Sequence, residues 1–320
     1  MARVLDGIDA FLDQLTAVDL LPAFLAVLCQ LARLTCTSQA WRNILVAAFP
    51  DKRVRRQDIL GAYLAGIGIN AIIPIRAGDA VRVVLAHRAI PDSSYTTVIS
   101  STLVLSIFDI TAASLLLLWA VLALDALPGI GDLPELPSFE FAWLFERPLV
   151  TVLLLAGIFL GGVALAIWIH GHVRDFWARV KQGFAVVRSP KAYFGSVAIW
   201  QAGDWMLRLV TVWFMLDAFD IPQTLDNVLL VQVSSSLATL LPLTPGGLGT
   251  EQAFLLYVLR GEVPGSQLLA FSVGMRLLLL STNIVAGFTA LVLTLRTFRI
   301  GKALDDVDAA RRAAEQPRGP

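Results

Sequence analysis

Residues 240–254, LLPLTPGGLGTEQAF, interrupt a long apolar segment. Pro242 and Pro245 lack a backbone N–H, and Gly246, Gly247 and Gly249 carry no side chain, so a helix entering here stops and another restarts at Thr250 and Glu251. Inside a bilayer, unwound backbone survives only where protein or a water-filled cavity satisfies its polar groups, so the break is expected to line an interior. The restarting helix points unpaired N–H groups and a positive dipole end at whatever occupies the break, which suits a headgroup phosphate. The plainer alternative is a cytoplasmic loop punctuated by proline and glycine. A second stretch of the same design, NAIIPIRAGDAVR at 70–82, argues against it: Ile72-Ile73-Pro74-Ile75 aligns with Leu240-Leu241-Pro242-Leu243, and Gly78 with Gly246. Two such interruptions at corresponding places in two halves of a hydrophobic chain point to a transporter's binding site.

The surrounding composition belongs to a membrane. Of 320 residues 57% are hydrophobic and 16% charged, and the mean hydropathy is +0.72, which leaves too little polar surface for a soluble protein. Cys29 and Cys36 stand about two helical turns apart in one span, which argues against a disulfide or a metal pair. His87, His170 and His172 form no HExxH frame, there is no CxxC, and no GxxxxGK[ST] run cradles a nucleotide. No metal, cofactor or nucleic acid is expected.

Residues 1–16 set Val4, Leu5, Ile8, Leu12 and Leu15 on one helical face, as in an amphipathic helix at the membrane surface. A single transmembrane domain is expected over 17–298. Its first span runs from Leu20 to about Phe49 with Arg33 inside, and the first broken segment fills 59–90. Another span follows at 96–124 with Asp109 inside. An acidic loop at 125–147 and a crossing at 148–170 come next, then a basic connector. A span at 193–219 holds Asp204 and Arg208 four residues apart, neighbours on one helix face. The second broken segment occupies 227–260, and a last span, 267–295, contains Arg276. The polar tail, 299–320, reads as disordered.

Lysine and arginine counts orient the chain. Sixteen lie on the side that carries the basic connector and the C-terminus, against three on the other, so the C-terminus is expected in the cytoplasm. The fold expected is therefore all-α and polytopic. It is an inverted-topology repeat, about 20–124 and 193–295, joined by one crossing at 148–170, with two re-entrant broken-helix hairpins entering from opposite faces.

The two broken motifs, NAIIPIRAGDAVRVVLAHR and LPLTPGGLGTEQAF, resemble the paired motifs of the lysylphosphatidylglycerol synthase transmembrane-region family, also called flippase-like domain proteins. AWRNIL at 40–45 and GMRLLLLSTNIVAG at 274–287 support the resemblance, which extends from Asp19 to Leu295. It implies a prokaryotic cytoplasmic-membrane protein that handles lipid, since the best-known member moves aminoacylated phospholipids between leaflets. The chain departs from the family pattern at Ala40 and Ser106, and the family often has one more span before the first one here. Nothing in these residues corresponds to the soluble aminoacyl-transferring domain, so lipid handling is implied rather than lysyl-lipid synthesis.

A phosphate headgroup, from an anionic or aminoacylated phospholipid or a polyprenyl-linked lipid, needs counter-charge within hydrocarbon. Arg76, Arg82 and Arg276 match family positions and are the first candidates, followed by Arg33 and Arg208; the alternative pairs Arg76 or Arg82 with Asp79, and Arg208 with Asp204, as structural ion pairs. Glu251 is expected as a helix cap, a partner for a cationic headgroup or a proton carrier, with Asp79 and Asp109 equally open. The tryptophans at 119, 143, 200, 205 and 213 read as interface anchors. Two other classes stand beside the carrier. One is an accessory subunit for lipid-linked glycan or hopanoid assembly, partnered by a lipid-modifying enzyme. The other is an intramembrane hydrolase using Asp79 and Asp204, which lacks GxGD and PAL motifs here. The GxxxG at 157–161 would bring helices together within a chain or between copies.

Overall fold

The computed structural model describes residues 18–73, 76–124, 174–240, 250–259 and 263–315. The expected surface helix, acidic loop and linking span, together with Pro74, Pro242, Pro245, Gly246, Gly247 and Gly249, lie outside the described residues. In chain order the helices are α1 (Leu20–Ala48), α2 (Arg56–Ile72), α3 (Ala77–Ala89), α4 (Tyr95–Leu124), α5 (Arg174–Gly183), α6 (Ile199–Ala218), α7 (Leu225–Leu240), α8 (Thr250–Val258) and α9 (Gly265–Glu315). A 3-10 turn at Ala185–Arg188, an α-turn at Pro190–Tyr193 and a π-turn at Phe194–Ala198 lead into α6. No strand occurs among the described residues.

Among the described residues three segments are long and apolar enough to cross a membrane: Leu20–Ala48, Tyr95–Ala120 and Gly265–Leu295. The fourth span expected among the described residues, α6, does not count with them; it carries Gln201, Asp204 and Arg208. Gln201 and Asp204 are only 1% and 2% exposed, so this polar content faces protein. The end of the chain also differs from expectation. The stretch after Arg296 continues α9 to Glu315, consistent with the helix-favouring alanines at 309, 310, 313 and 314.

α1 and α6 lie antiparallel. The Asp19 N–H donates to the Ala218 carbonyl at 3.0 Å, and near the other end Asn43 Nδ2 donates to the Ser196 carbonyl at 2.6 Å. Ser196 sits in the π-turn, where the widened ladder leaves a carbonyl open to a side chain. Asp19 also accepts from the Leu21 N–H, capping α1, and Gln182 Nε2 takes the Ala48 carbonyl at its far end. α4 runs parallel to α6, joined by Gln201 Nε2 to the Leu105 carbonyl and Trp205 Nε1 to Asp109.

α2 packs against α3 and α9 through glycine. A Cβ at Gly68 would stand 2.7 Å from Gly287 Cα, and one at Gly78 would run into the Gly66 carbonyl, so neither crossing tolerates a side chain. α2 ends with Ile73 extended, and the chain re-enters α3 through Arg76 in the left-handed region, φ 55°. Asn70 closes this joint: its Oδ1 accepts the Gly78 N–H at 2.8 Å, and its Nδ2 donates to Asp79 at 3.0 Å. Two larger apolar cores and a small one result among the described residues. Trp41, Ile44, Ile59 and Val98 centre the one shared by α1 to α4, Leu216, Leu255 and Phe271 centre the one where α6, α7, α8 and α9 meet the start of α1, and Ala120 and Val233 form the small one between α4 and α7.

Candidate functional site

Charges that would be intolerable in hydrocarbon are gathered where α1, α4 and α6 meet. Asp204 Oδ1 accepts Arg33 Nε at 3.1 Å and Thr37 Oγ1 at 2.8 Å, and Oδ2 accepts Arg208 Nη2 at 2.8 Å. The Asp204–Arg208 pair has the four-residue spacing that a helix turns into contact. Arg208 also faces Asp109 Oδ1 at 3.8 Å and lies 4.7 Å over the Trp205 ring, while Trp205 Nε1 holds Asp109 at 3.0 Å. On the far wall Arg276 Nη1 faces Glu251 Oε2 at 3.6 Å, and Ser235 Oγ donates to the other Glu251 oxygen. An amide pair closes the set, with Arg33 donating to Gln30 Oε1 and Gln30 Nε2 to Asn283 Oδ1 at 2.9 Å.

Apart from Asp204 and Thr37, these side chains line one cavity of about 510 Å³. Of the expected site residues, Arg33, Arg208, Arg276, Glu251 and Asp109 border it, and Asp204 stands immediately behind the arginines. Arg76, Asp79 and Arg82 do not border it. Arg76 is exposed at the head of α3, Arg82 pairs with Asp79 at 3.5 Å and lies 5.8 Å from the Trp41 ring of α1, and Asp79 accepts from Asn70 at the α2–α3 joint. Gly78 belongs to the same joint. Glu251 sits in the first turn of α8, as a helix that restarts at Thr250 requires.

Several cavity residues escaped the reading of the sequence. Gln30, Asn283, Gln232 and Ser235 are polar side chains inside apolar runs, a signal present in the sequence but shared with ordinary helix-to-helix hydrogen bonding. Trp205, expected as an interface anchor, instead holds Asp109 and stacks beneath Arg208. Among the described residues no three His, Cys, Asp or Glu side chains gather as a metal site needs.

Beside the polar cavity runs a larger apolar groove of about 790 Å³ between α1, α2 and α9. Val27, Leu31, Leu60, Leu64, Val285 and Leu293 line it, with Gln57 and Asp58 at the start of α2. The two spaces adjoin along the chain: Leu31 and Thr282 border the groove where their neighbours Gln30 and Asn283 border the cavity. Residues 3–287 match the model of a protein family described as the lysylphosphatidylglycerol synthase TM region. No curated protein and no solved structure matches the chain.

Proposed function

The chain belongs to the lysylphosphatidylglycerol synthase TM-region family, membrane proteins tied to lipid handling, and on that footing we propose that it carries the phosphate-bearing headgroup of a lipid between leaflets. One observation supports this most. Three guanidinium groups border a cavity whose walls include α1, α4 and α9, the helices with the length and apolarity of membrane spans. Guanidinium matches phosphate in bidentate geometry, and within a low-dielectric interior that match is what lets a phosphate leave water. The adjoining apolar groove suits the acyl chains of the same molecule, and a polar pocket beside an apolar channel is what an amphiphile requires.

Under this proposal the two halves, 20–124 and 193–295, are inverted copies of a span, a re-entrant hairpin and a span. The antiparallel packing of α1 against α6, the first helix of each half, supports it, as does the break between α2 and α3 at residues whose counterparts separate α7 from α8. The bias of basic residues supports a cytoplasmic C-terminus in a prokaryotic inner membrane. A carrier is favoured over a hydrolase because Asp79 and Asp204, the two aspartates a hydrolase would pair, are held in separate networks by different arginines. The membrane lipid is thus the proposed partner.

Purified protein in liposomes is expected to speed leaflet exchange of a labelled phospholipid, and Arg276→Ala to slow it by about tenfold, a step of 1.4 kcal/mol. Exchange no faster than in empty liposomes would refute the proposal.

A further inference from the structure

Counted together with the buried Asp204 behind its wall, the charged groups described around the cavity balance. Arg33, Arg208 and Arg276 stand against Asp109, Asp204 and Glu251, and each guanidinium has a carboxylate within 4 Å. A site built for a purely anionic guest would show an excess of cations among these groups. Here a lone phosphate would add one uncompensated negative charge to a low-dielectric space, which is the costly arrangement.

The pairs also differ in closeness. Asp204 is held at 2.8 and 3.1 Å, within hydrogen-bond reach, whereas Arg208–Asp109 and Arg276–Glu251 span 3.8 and 3.6 Å. The wide pairs border the cavity, and the Asp109 side chain is 43% exposed. Opening the Arg208–Asp109 pair strands neither group, because Arg208 keeps Asp204 and Asp109 keeps Trp205 Nε1. A phosphate that takes the guanidinium and an ammonium that takes the released carboxylate would replace one ion pair by two and leave the sum of charge unchanged. Resting on the carrier reading above, we infer that the headgroup this cavity admits is a net-neutral zwitterion, one phosphate with one ammonium, in preference to a singly anionic headgroup or one with a second ammonium.

The experiment is native mass spectrometry of the full chain in detergent, offered equimolar phosphatidylethanolamine, phosphatidylglycerol and lysyl-phosphatidylglycerol with identical acyl chains. The unaltered protein should retain the ethanolamine lipid over each of the others by about tenfold. Asp109→Asn removes one negative charge and should move the preference toward phosphatidylglycerol; Arg276→Gln removes one positive charge and should move it toward the lysyl lipid. The two variants shift the ratio in opposite senses, which loss of folding would not do. Preference of the unaltered protein for phosphatidylglycerol, equal retention of all three, retention of none, or ratios untouched by both substitutions would each overturn the inference. The carrier reading fails separately: a protein that retains the ethanolamine lipid but does not speed its leaflet exchange would reject transport and leave the headgroup assignment intact. Faster exchange of phosphatidylglycerol would do the reverse.

Discussion

Asp204 and Glu251 are both carboxylates facing arginine inside a membrane protein, yet they are held differently. Asp204 is buried, accepts from two guanidinium groups and a hydroxyl, and joins α1 to α6. Glu251 meets Arg276 at 3.6 Å across a cavity wall, and its bond to Ser235 links α8 to α7. Short, multiple, enclosed contacts make an ion pair a structural fixture, whereas separation and access leave a pair free to exchange partners. On the proposed function, identical chemistry is divided between holding the bundle and receiving a guest.

Substitution at Asp204 should produce the largest effect. Asp204→Asn leaves Arg33 and Arg208 without their closest counter-charge and is expected to cost about 3–5 kcal/mol, read as the fall in unfolding free energy of the detergent-solubilised protein. Asp109→Asn should cost under about 1 kcal/mol in the same measurement. Equal losses would erase the distinction between the two kinds of pair. A sharper version is a double-mutant cycle: coupling between Arg208 and Asp204 should exceed coupling between Arg276 and Glu251, the latter staying near or below about 1 kcal/mol. The smallest effect belongs to the α2–α3 joint. Asp79→Asn removes a 3.5 Å pair to Arg82 on a half-exposed side chain, and should change stability by only a few tenths of a kcal/mol, roughly, with no change in lipid retention. A lost lipid signal there would bring Arg82 back into the binding site.

Much of this arrangement was legible in the residues. Long apolar runs marked α1, α4 and α9, Pro74 with Gly78 marked the division between α2 and α3, and the four-residue spacing of Asp204 and Arg208 announced their contact. Contacts between distant segments were not legible. Nothing local to Arg33 indicates Asp204, 171 positions away, or ties Gln30 to Asn283, 253 positions away. The same limit separates Arg82 from Arg276: both are arginines beside a glycine-containing break or span, and only tertiary packing assigns one to a joint and the other to a cavity wall. Trp205 was misread for a related reason, since an indole that anchors at an interface and one that grips a carboxylate have the same local sequence signature.

At Gly68 and Gly287 backbone lies directly on backbone. Further along the same two helices the Thr294 side chain of α9 seats on Gly61 of α2, so this seam is held by close approach of backbone. The α1–α6 seam is instead riveted at three heights by the polar groups of Asp19, Arg33 and Asn43. Arg276 stands on α9 and Asp204 on α6, so the spacing of their two sets of charges is set by two seams of different construction.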